Sequence, residues 1–310
     1  MKNKIVILDA KTFGNDINLD IFSSISKTKI YQTTSYEQTL DHIEKASIVI
    51  TNKVIIDKHI MNNSSLRLIC VAATGMNNID LEFAKKKGII VKNVVGYSTS
   101  SVAQLTFAMA LQFIQKIPYY NEYVLNNSWS KSDIFTHIDK PFYELDGKTW
   151  GIIGLGNIGK SVALIAKSFG CNVQYYSSTG TNTNTKYKSV NLDKLLKTSD
   201  IISIHCALTN STNNMINKSN IKDIKDKTIL LNLGRGGIVN EEDISKILDK
   251  RELYYGTDVV AKEPIDEQSP LLAVQNKEQI IITPHIAWAS IESRNRLIKS
   301  IVNNINEFLN

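Results

Sequence analysis

Three glycines constrain this chain more than any other feature. Gly154, Gly156 and Gly159 follow the apolar run Trp150–Ile153 in the spacing G-x-G-x-x-G. Behind them Ile158, Val162, Ile165, Ala166 and Phe169 recur at helical spacing, Gly170 ends the helix, and Val173–Tyr176 starts a further strand. In a strand–turn–helix–strand unit each glycine has a physical reason. Gly154 permits the tight turn, Gly156 lets the backbone approach a pyrophosphate, and Gly159 lets helix and strand pack closely. The pyrophosphate would sit at the helix N-terminus, among free N–H groups and the positive end of the dipole.

The rest of the chain repeats the same alternation. Residues 1–98 place short β-rich runs (KIVIL, KIYQ, SIVIT, LRLICVA, GIIV) between amphipathic stretches, which predicts a parallel sheet covered by helices. The segment VAATGMNNID, Val71 to Asp80, leaves a strand with Thr74, Gly75, Asn77 and Asn78 at the junction, either a ligand-binding loop or a capped turn. Ser100 to Ile117 is apolar on nearly every side and must be covered all round, in a core or a subunit interface; Pro118 ends or kinks it. Tyr119 to Leu145 reads as a polar, irregular arm with Trp129 and Phe135 as isolated anchors. Strands recur at Ile201, Thr228, Leu253 and Ile280, completing a doubly wound α/β sheet over roughly residues 100–285. In the tail, Leu297, Ile298, Ile301, Val302, Ile305, Phe308 and Leu309 form one stripe, which predicts a helix folded back on the N-terminal domain. The expected division is therefore a discontinuous domain of 1–99 plus 286–310 and a second of 100–285.

Composition narrows the class. Of 310 residues, 43% are hydrophobic and 21% charged, with no run long enough for a membrane span and no secretory signal at the N-terminus. Cys70, Cys171 and Cys206 are odd in number and each lies beside apolar residues, which suits buried thiols in the cytoplasm and neither disulfides nor a metal site. The net charge of +6 comes from scattered lysines, the densest at Lys85–Lys87 before Gly88, where cations suit a helix end. No nucleic-acid groove is expected, and no membrane partner.

Three polar residues close predicted strands in the second half: Arg235 in NLGRGG, Glu263 in DVVAKEP and His285 in ITPHIAW. Reducing a 2-oxo acid beside a nicotinamide requires a planar cation for the substrate carboxylate, a general acid for the carbonyl oxygen, and a carboxylate to keep that acid protonated. The chain offers one of each. His205 reads as structural or as a backbone contact at the cofactor, and His42, His59 and His137 as surface residues. At the end of the second strand, where an acid normally binds the adenosine ribose, stand Ser177 and Ser178; no arginine follows to hold a 2′-phosphate, so NAD is expected with NADP as an open alternative.

GIIGLGNIG, NLGRGGIVNE, GTDVVAKEP and TPHIAWAS, in this order and spacing, resemble the D-isomer-specific 2-hydroxyacid dehydrogenase family, and ATGMNNIDL, VKNVVGYSTSSVAQ and ELDGKTWGIIG extend the likeness over nearly the whole chain. The resemblance implies two Rossmann-like parallel-sheet domains, one flavodoxin-like and one dinucleotide-binding, with the active site in the cleft and a homodimer built through the nucleotide domain. It implies Arg235 for substrate binding, His285 as acid/base and Glu263 as its partner. It also implies cofactor contacts from Gly154, Gly156, Asn157, Ile158, Gly159, Ser177, Cys206, Leu233, Gly234, Arg235, Asp258, His285 and Ala287, and substrate contacts from Thr74, Gly75, Arg235, His285 and Trp288. Within the family, ATGMNNID, Gln104 and HIAWAS look like the glycerate dehydrogenase (hydroxypyruvate reductase) branch, with Trp288 narrowing the pocket toward a small 2-oxo acid. Ala207 departs from the proline usual there. The alternatives are a D-lactate dehydrogenase, a phosphoglycerate dehydrogenase without its regulatory part (the chain ends at Asn310), or a dinucleotide-sensing co-repressor of the same fold.

Overall fold

The computed structural model describes residues 4–182 and 185–310. The chain divides into two compact units, one running to Ser98 and resuming at Trp288–Asn310, the other spanning Thr99–Ala287.

In the first unit five strands, β1 (Lys4–Ile7), β2 (Lys27–Ile30), β3 (Ile48–Thr51), β4 (Leu68–Val71) and β5 (Ile90–Lys92), form a parallel sheet in the order β2-β1-β3-β4-β5. That order is the flavodoxin-like one. β3 and β4 are buried at every position, because a parallel strand with helices on both faces has no solvent side. Ile5, Ile7, Ile48, Ile50 and Leu68 meet Leu297, Ile298, Ile301 and Ile305 of the helix Ile291–Leu309 in one core. Val6, Leu8, Val49, Ile69 and Val71 build a second core on the opposite face. The stripe read from the tail is thus the inner face of that helix, whose start is capped by Ser290 Oγ accepting from Ser293 N.

The second unit holds seven parallel strands: β6 (Thr149–Ile153), β7 (Asn172–Tyr176), β8 (Lys188–Ser189), β9 (Ile201–Ile204), β10 (Ile229–Asn232), β11 (Tyr254–Thr257) and β12 (Ile280–Ile282). Their order, β12-β11-β10-β9-β6-β7-β8, reads from the β8 edge as the dinucleotide-binding pattern 3-2-1-4-5-6 with one added strand. Direction reverses between β6 and β9, the switch point where such sheets bind ligands. The helix Thr99–Gln115 is not covered all round, contrary to the expectation from its sequence: Val102, Ala103, Phe107, Ala110 and Phe113 pack with Trp150 and Leu231, while Ser100, Gln104, Ala108 and Gln112 form an exposed stripe. Trp150 lies 4.5 Å from Phe107, and its Nε1 donates to Ser203 Oγ.

Three further expectations need correction. Residues 117–125 are not irregular: Ile117–Leu125 is a helix, and Pro118 lies in its first turn, where the missing N–H is harmless. The break from the preceding helix falls instead at Lys116, whose φ is 50°. Nor are Trp129 and Phe135 anchors within the chain, being 49% and 89% exposed. His137 and His42 are not surface residues either: His137 stacks on Tyr123 with ring centres 3.7 Å apart and bonds Tyr119 Oη, and His42 stacks on Tyr31 at 3.5 Å and bonds Thr34 Oγ1, whereas His59 is exposed as expected. No helix among the described residues is long and apolar enough to cross a membrane.

The glycine turn of β6 shows why its spacing matters. A Cβ on Gly159 would lie 2.3 Å from the Gly154 carbonyl oxygen, whereas one on Gly156 would meet nothing within 4 Å. Gly159→Ala should therefore destabilise the fold by about 1–3 kcal/mol through overpacking. Gly156→Ala, at the helix N-cap, should cost about 1 kcal/mol or less. Urea denaturation of both variants checks the contrast.

Candidate active site

Because every strand of the second unit's sheet is parallel, the residues following β6, β7, β9, β10, β11 and β12 share its carboxyl edge. Gly154, Gly156, Asn157, Ile158 and Gly159 follow β6, Ser177 follows β7, and Cys206 follows β9. Leu233, Gly234 and Arg235 follow β10, Asp258 follows β11, and His285 and Ala287 follow β12. Among the described residues, the N–H groups of Gly156, Asn157 and Ile158 donate to no protein acceptor, and Gly156 supplies no side-chain cap. Those three donors and the open space over Gly156 fit a pyrophosphate. Asn182 Nδ2 donates to the Leu155 carbonyl, tying the loop after β7 to the glycine turn, and Ser177 Oγ accepts from Asn182 N. The loop's remaining residues, 183 and 184, lie outside the described ones.

His285 sits in the left-handed region, with φ of 54°, a conformation imidazole side chains tolerate better than most but one that still needs support. Asp258 provides it. One carboxylate oxygen accepts from Thr283 Oγ1 at 2.6 Å and Ile286 N at 2.8 Å, and the other from Ala287 N at 2.8 Å, so both flanks of His285 hang on one side chain. Asp258 is only 2% exposed; burial raises its pKa, against the three donors and the charge of His285, which favour the carboxylate. The ring is aimed separately: His285 Nδ1 lies 2.7 Å from Glu263 Oε2, which leaves Nε2 as the ring nitrogen that could exchange a proton with a ligand. Glu263 is in turn held by Val260 N at 3.3 Å.

Arg235 is exposed and, among the described residues, has no carboxylate partner; its Nη1 donates to its neighbour Gly234 O at 2.8 Å. An unpaired guanidinium is ready for an anionic ligand. Its loop is clamped by Asn232, which accepts from Gly234 N and donates to Arg235 O. A Cβ on Gly236 would lie 2.0 Å from Val260 O, so only glycine lets this loop touch the one that carries Glu263. Glu241 adds a second carboxylate there. It accepts from Ala261 N, and its pKa is raised first by burial and further by Glu263. Nothing in the sequence around Glu241, Asn232 or Thr283 marks these roles; only their contacts show what they hold.

Thr74, Gly75 and Trp288 belong to the first unit. Among the described residues the N–H groups of Thr74, Gly75 and Met76 donate to no protein acceptor, three successive donors suited to a carboxylate. Trp288 is partly buried on that unit's core, edge-on to Tyr97.

His205, at the end of β9, serves otherwise. Both ring nitrogens are buried without a hydrogen-bond partner, and burial pushes its pKa down to about 3. An unfolded chain binds that proton near pH 6.5, the folded one only near pH 3, so stability must fall on acidification between these values. His205→Phe should flatten a slope of up to about 1.4 kcal/mol per pH unit. Urea midpoints measured from roughly pH 7 to 4 test it.

Comparison with known proteins places these features in context. Residues 107–287 match the family described as D-isomer specific 2-hydroxyacid dehydrogenase, NAD binding domain. The chain is 38% identical to the hydroxypyruvate reductase of Blautia hydrogenotrophica, over 99% of this chain and 97% of that protein. It is 33% identical to the glycerate dehydrogenase of Methylorubrum extorquens, over 100% and 97%. Among solved structures, the D-lactate dehydrogenase of Aquifex aeolicus, complexed with NAD and lactic acid, superposes with a TM-score of 0.83 at 27% identity, covering 99% of this chain and 95% of that one.

Proposed function

Given that this chain belongs to the D-isomer specific 2-hydroxyacid dehydrogenase family, we propose that it reduces hydroxypyruvate, and more slowly glyoxylate, to the D-2-hydroxy acid. It is an NAD-binding oxidoreductase acting on small 2-oxo and 2-hydroxy acids. The observation that carries the site assignment is the His285–Glu263 pair at 2.7 Å, beside a guanidinium loop on the sheet that bears the glycine turn.

The N–H groups of Gly156, Asn157 and Ile158 would hold the pyrophosphate of a nicotinamide dinucleotide, which, when bound, would supply the hydride. Glu263 holds His285 by Nδ1, so that Nε2 delivers a proton to the substrate oxygen and recovers it in the reverse direction. Arg235, which has no carboxylate partner among the described residues, binds the carboxylate and polarises the carbonyl. In the first unit, Thr74 and Gly75 offer N–H groups suited to a substrate carboxylate. Trp288 limits the size of the substrate's third carbon substituent. Ser177, where an acid would select NAD, leaves NADP as a second coenzyme.

The working form is a homodimer assembled through the second unit, in the cytoplasm. Ile117, Leu125, Ile134, Phe135 and Ile138 are each more than 60% exposed, an apolar surface that a monomer would leave in water. Three buried thiols without a disulfide suit a reducing compartment. Phe135→Asp should shift the mass measured by light scattering from dimer to monomer; a wild-type monomer would refute the assembly.

His285→Ala should lower kcat by about 10²–10⁴-fold while dinucleotide binding persists. Among hydroxypyruvate, glyoxylate, pyruvate and oxaloacetate, hydroxypyruvate should show the highest kcat/KM in steady-state assays with NADH and NADPH. A lead for pyruvate would reassign the enzyme as a lactate dehydrogenase, and dinucleotide binding without turnover on any 2-oxo acid would favour a sensor.

A further inference from the structure

Asp9 is a buried acid that the mechanism above does not use. It follows β1, is 6% exposed, and has no cation against it among the described residues. Instead it collects backbone donors. Asn52 N reaches its two oxygens at 3.0 and 2.9 Å, Lys53 N reaches Oδ2 at 2.7 Å, and Val54 N at 3.4 Å, with Thr51 Oγ1 at 3.2 Å. Thr51 Oγ1 also accepts from Val54 N at 3.0 Å. Desolvating a carboxylate is expensive, and three successive N–H groups turned toward one point define the path of the loop after β3 closely.

That loop is fastened to the next. Asn78 Nδ2 donates to Val54 O at 2.9 Å, Ile56 N donates to Asn78 O at 2.9 Å, and Asp80 N donates to Ile56 O at 3.2 Å. Ala72 N donates to Thr51 O at 2.8 Å at the other end. The segment between, Ala73 to Asn77, contains the unsatisfied N–H groups of Thr74, Gly75 and Met76. Its far flank is held by Thr74 Oγ1 donating to Val94 O and Asn93 Nδ2 donating to Thr74 O.

We infer that Asp9 is a positioning residue for substrate binding: through the loop of residues 52–54 and Asn78 it sets the direction in which Thr74, Gly75 and Met76 present their N–H groups to the substrate carboxylate. This rests on the assignment of that loop to the carboxylate made above. Asp9 touches no substrate, and its contacts all lie within the first unit, so its effect is confined to the 2-oxo acid. The dinucleotide, held by the second unit, is untouched.

Asp9→Asn keeps one acceptor for Lys53 N and Val54 N but sets an NH2 group where the second oxygen accepts from Asn52 N, and it removes the charge that strengthens every one of these bonds. The KM for hydroxypyruvate should rise about tenfold, with kcat changed much less. The Kd for NADH, followed by fluorescence, should stay within about twofold of wild type. Asn78→Ala, which removes one link of the same chain, should raise KM about threefold with the same selectivity. If Asp9→Asn does not fold, as judged by circular dichroism, Asn78→Ala decides alone. Folded variants whose KM matches wild type, or whose NADH affinity falls in proportion, overturn the inference. Should the wild type turn over no 2-oxo acid, the functional reading fails separately. Calorimetric binding of oxalate to the NADH-saturated protein then decides the inference, with weakening in Asp9→Asn expected and unchanged affinity against it.

Discussion

The grip of Asp258 on the segment from Thr283 to Ala287 is the interaction on which the candidate site depends. A parallel sheet delivers side chains to its carboxyl edge but does not orient them, since each strand ends in a loop with several available paths. Asp258 removes that freedom by taking three donors on both sides of His285. The left-handed backbone at His285, unfavourable for most residues, is then sustained by its surroundings rather than by its own preference. With the backbone fixed, one contact with Glu263 is enough to aim the imidazole.

The same device recurs at Asp9 in the other unit, on a sheet of different strand order. In both places a carboxylate just beyond a central parallel strand gathers N–H groups from a neighbouring loop. Backbone donors serve this better than a lysine or arginine would. They cannot swing away, and they cost no side-chain entropy. Neither acid need be a strong source of global stability, because burying the charge offsets much of what the hydrogen bonds return. Their effect is on shape: each fixes the path of the loop it holds.

The architecture was legible because its signals are local. Near-continuous apolar runs such as Ile48–Thr51 and Leu68–Val71 can only be strands buried on both faces, and the glycine spacing after Ile153 specifies a strand–turn–helix unit. The helix Ile117–Leu125 escaped because Pro118, read as a stop, equally suits a first turn. Phe135, an isolated aromatic in a polar segment, reads as an anchor, yet an aromatic in an arm can as readily face a partner as its own core. What could not be read at all were the supporting contacts. Asn232 beside Arg235, Glu241 beside Glu263 and Asp9 beside Lys53 join residues by backbone hydrogen bonds that leave no periodic trace in sequence.

That difference in legibility follows from how the two kinds of residue work. Arg235, Glu263 and His285 carry functional groups whose chemistry is recognisable wherever they stand, so strand-end position suffices to nominate them. Asp9, Asn232 and Asp258 act through geometry. Their side chains could do the same at a helix cap or a surface turn, and only the paths of the loops around them tell these cases apart. Gly236 lies between the two classes. Its lack of a side chain is visible in NLGRGG, but the reason, a Val260 carbonyl where a Cβ would be, exists only once β10 and β11 are paired. Substitutions that tune substrate preference without disabling catalysis should accordingly concentrate among the residues that shape loops, because these move donors by fractions of an ångström while leaving the reacting groups intact.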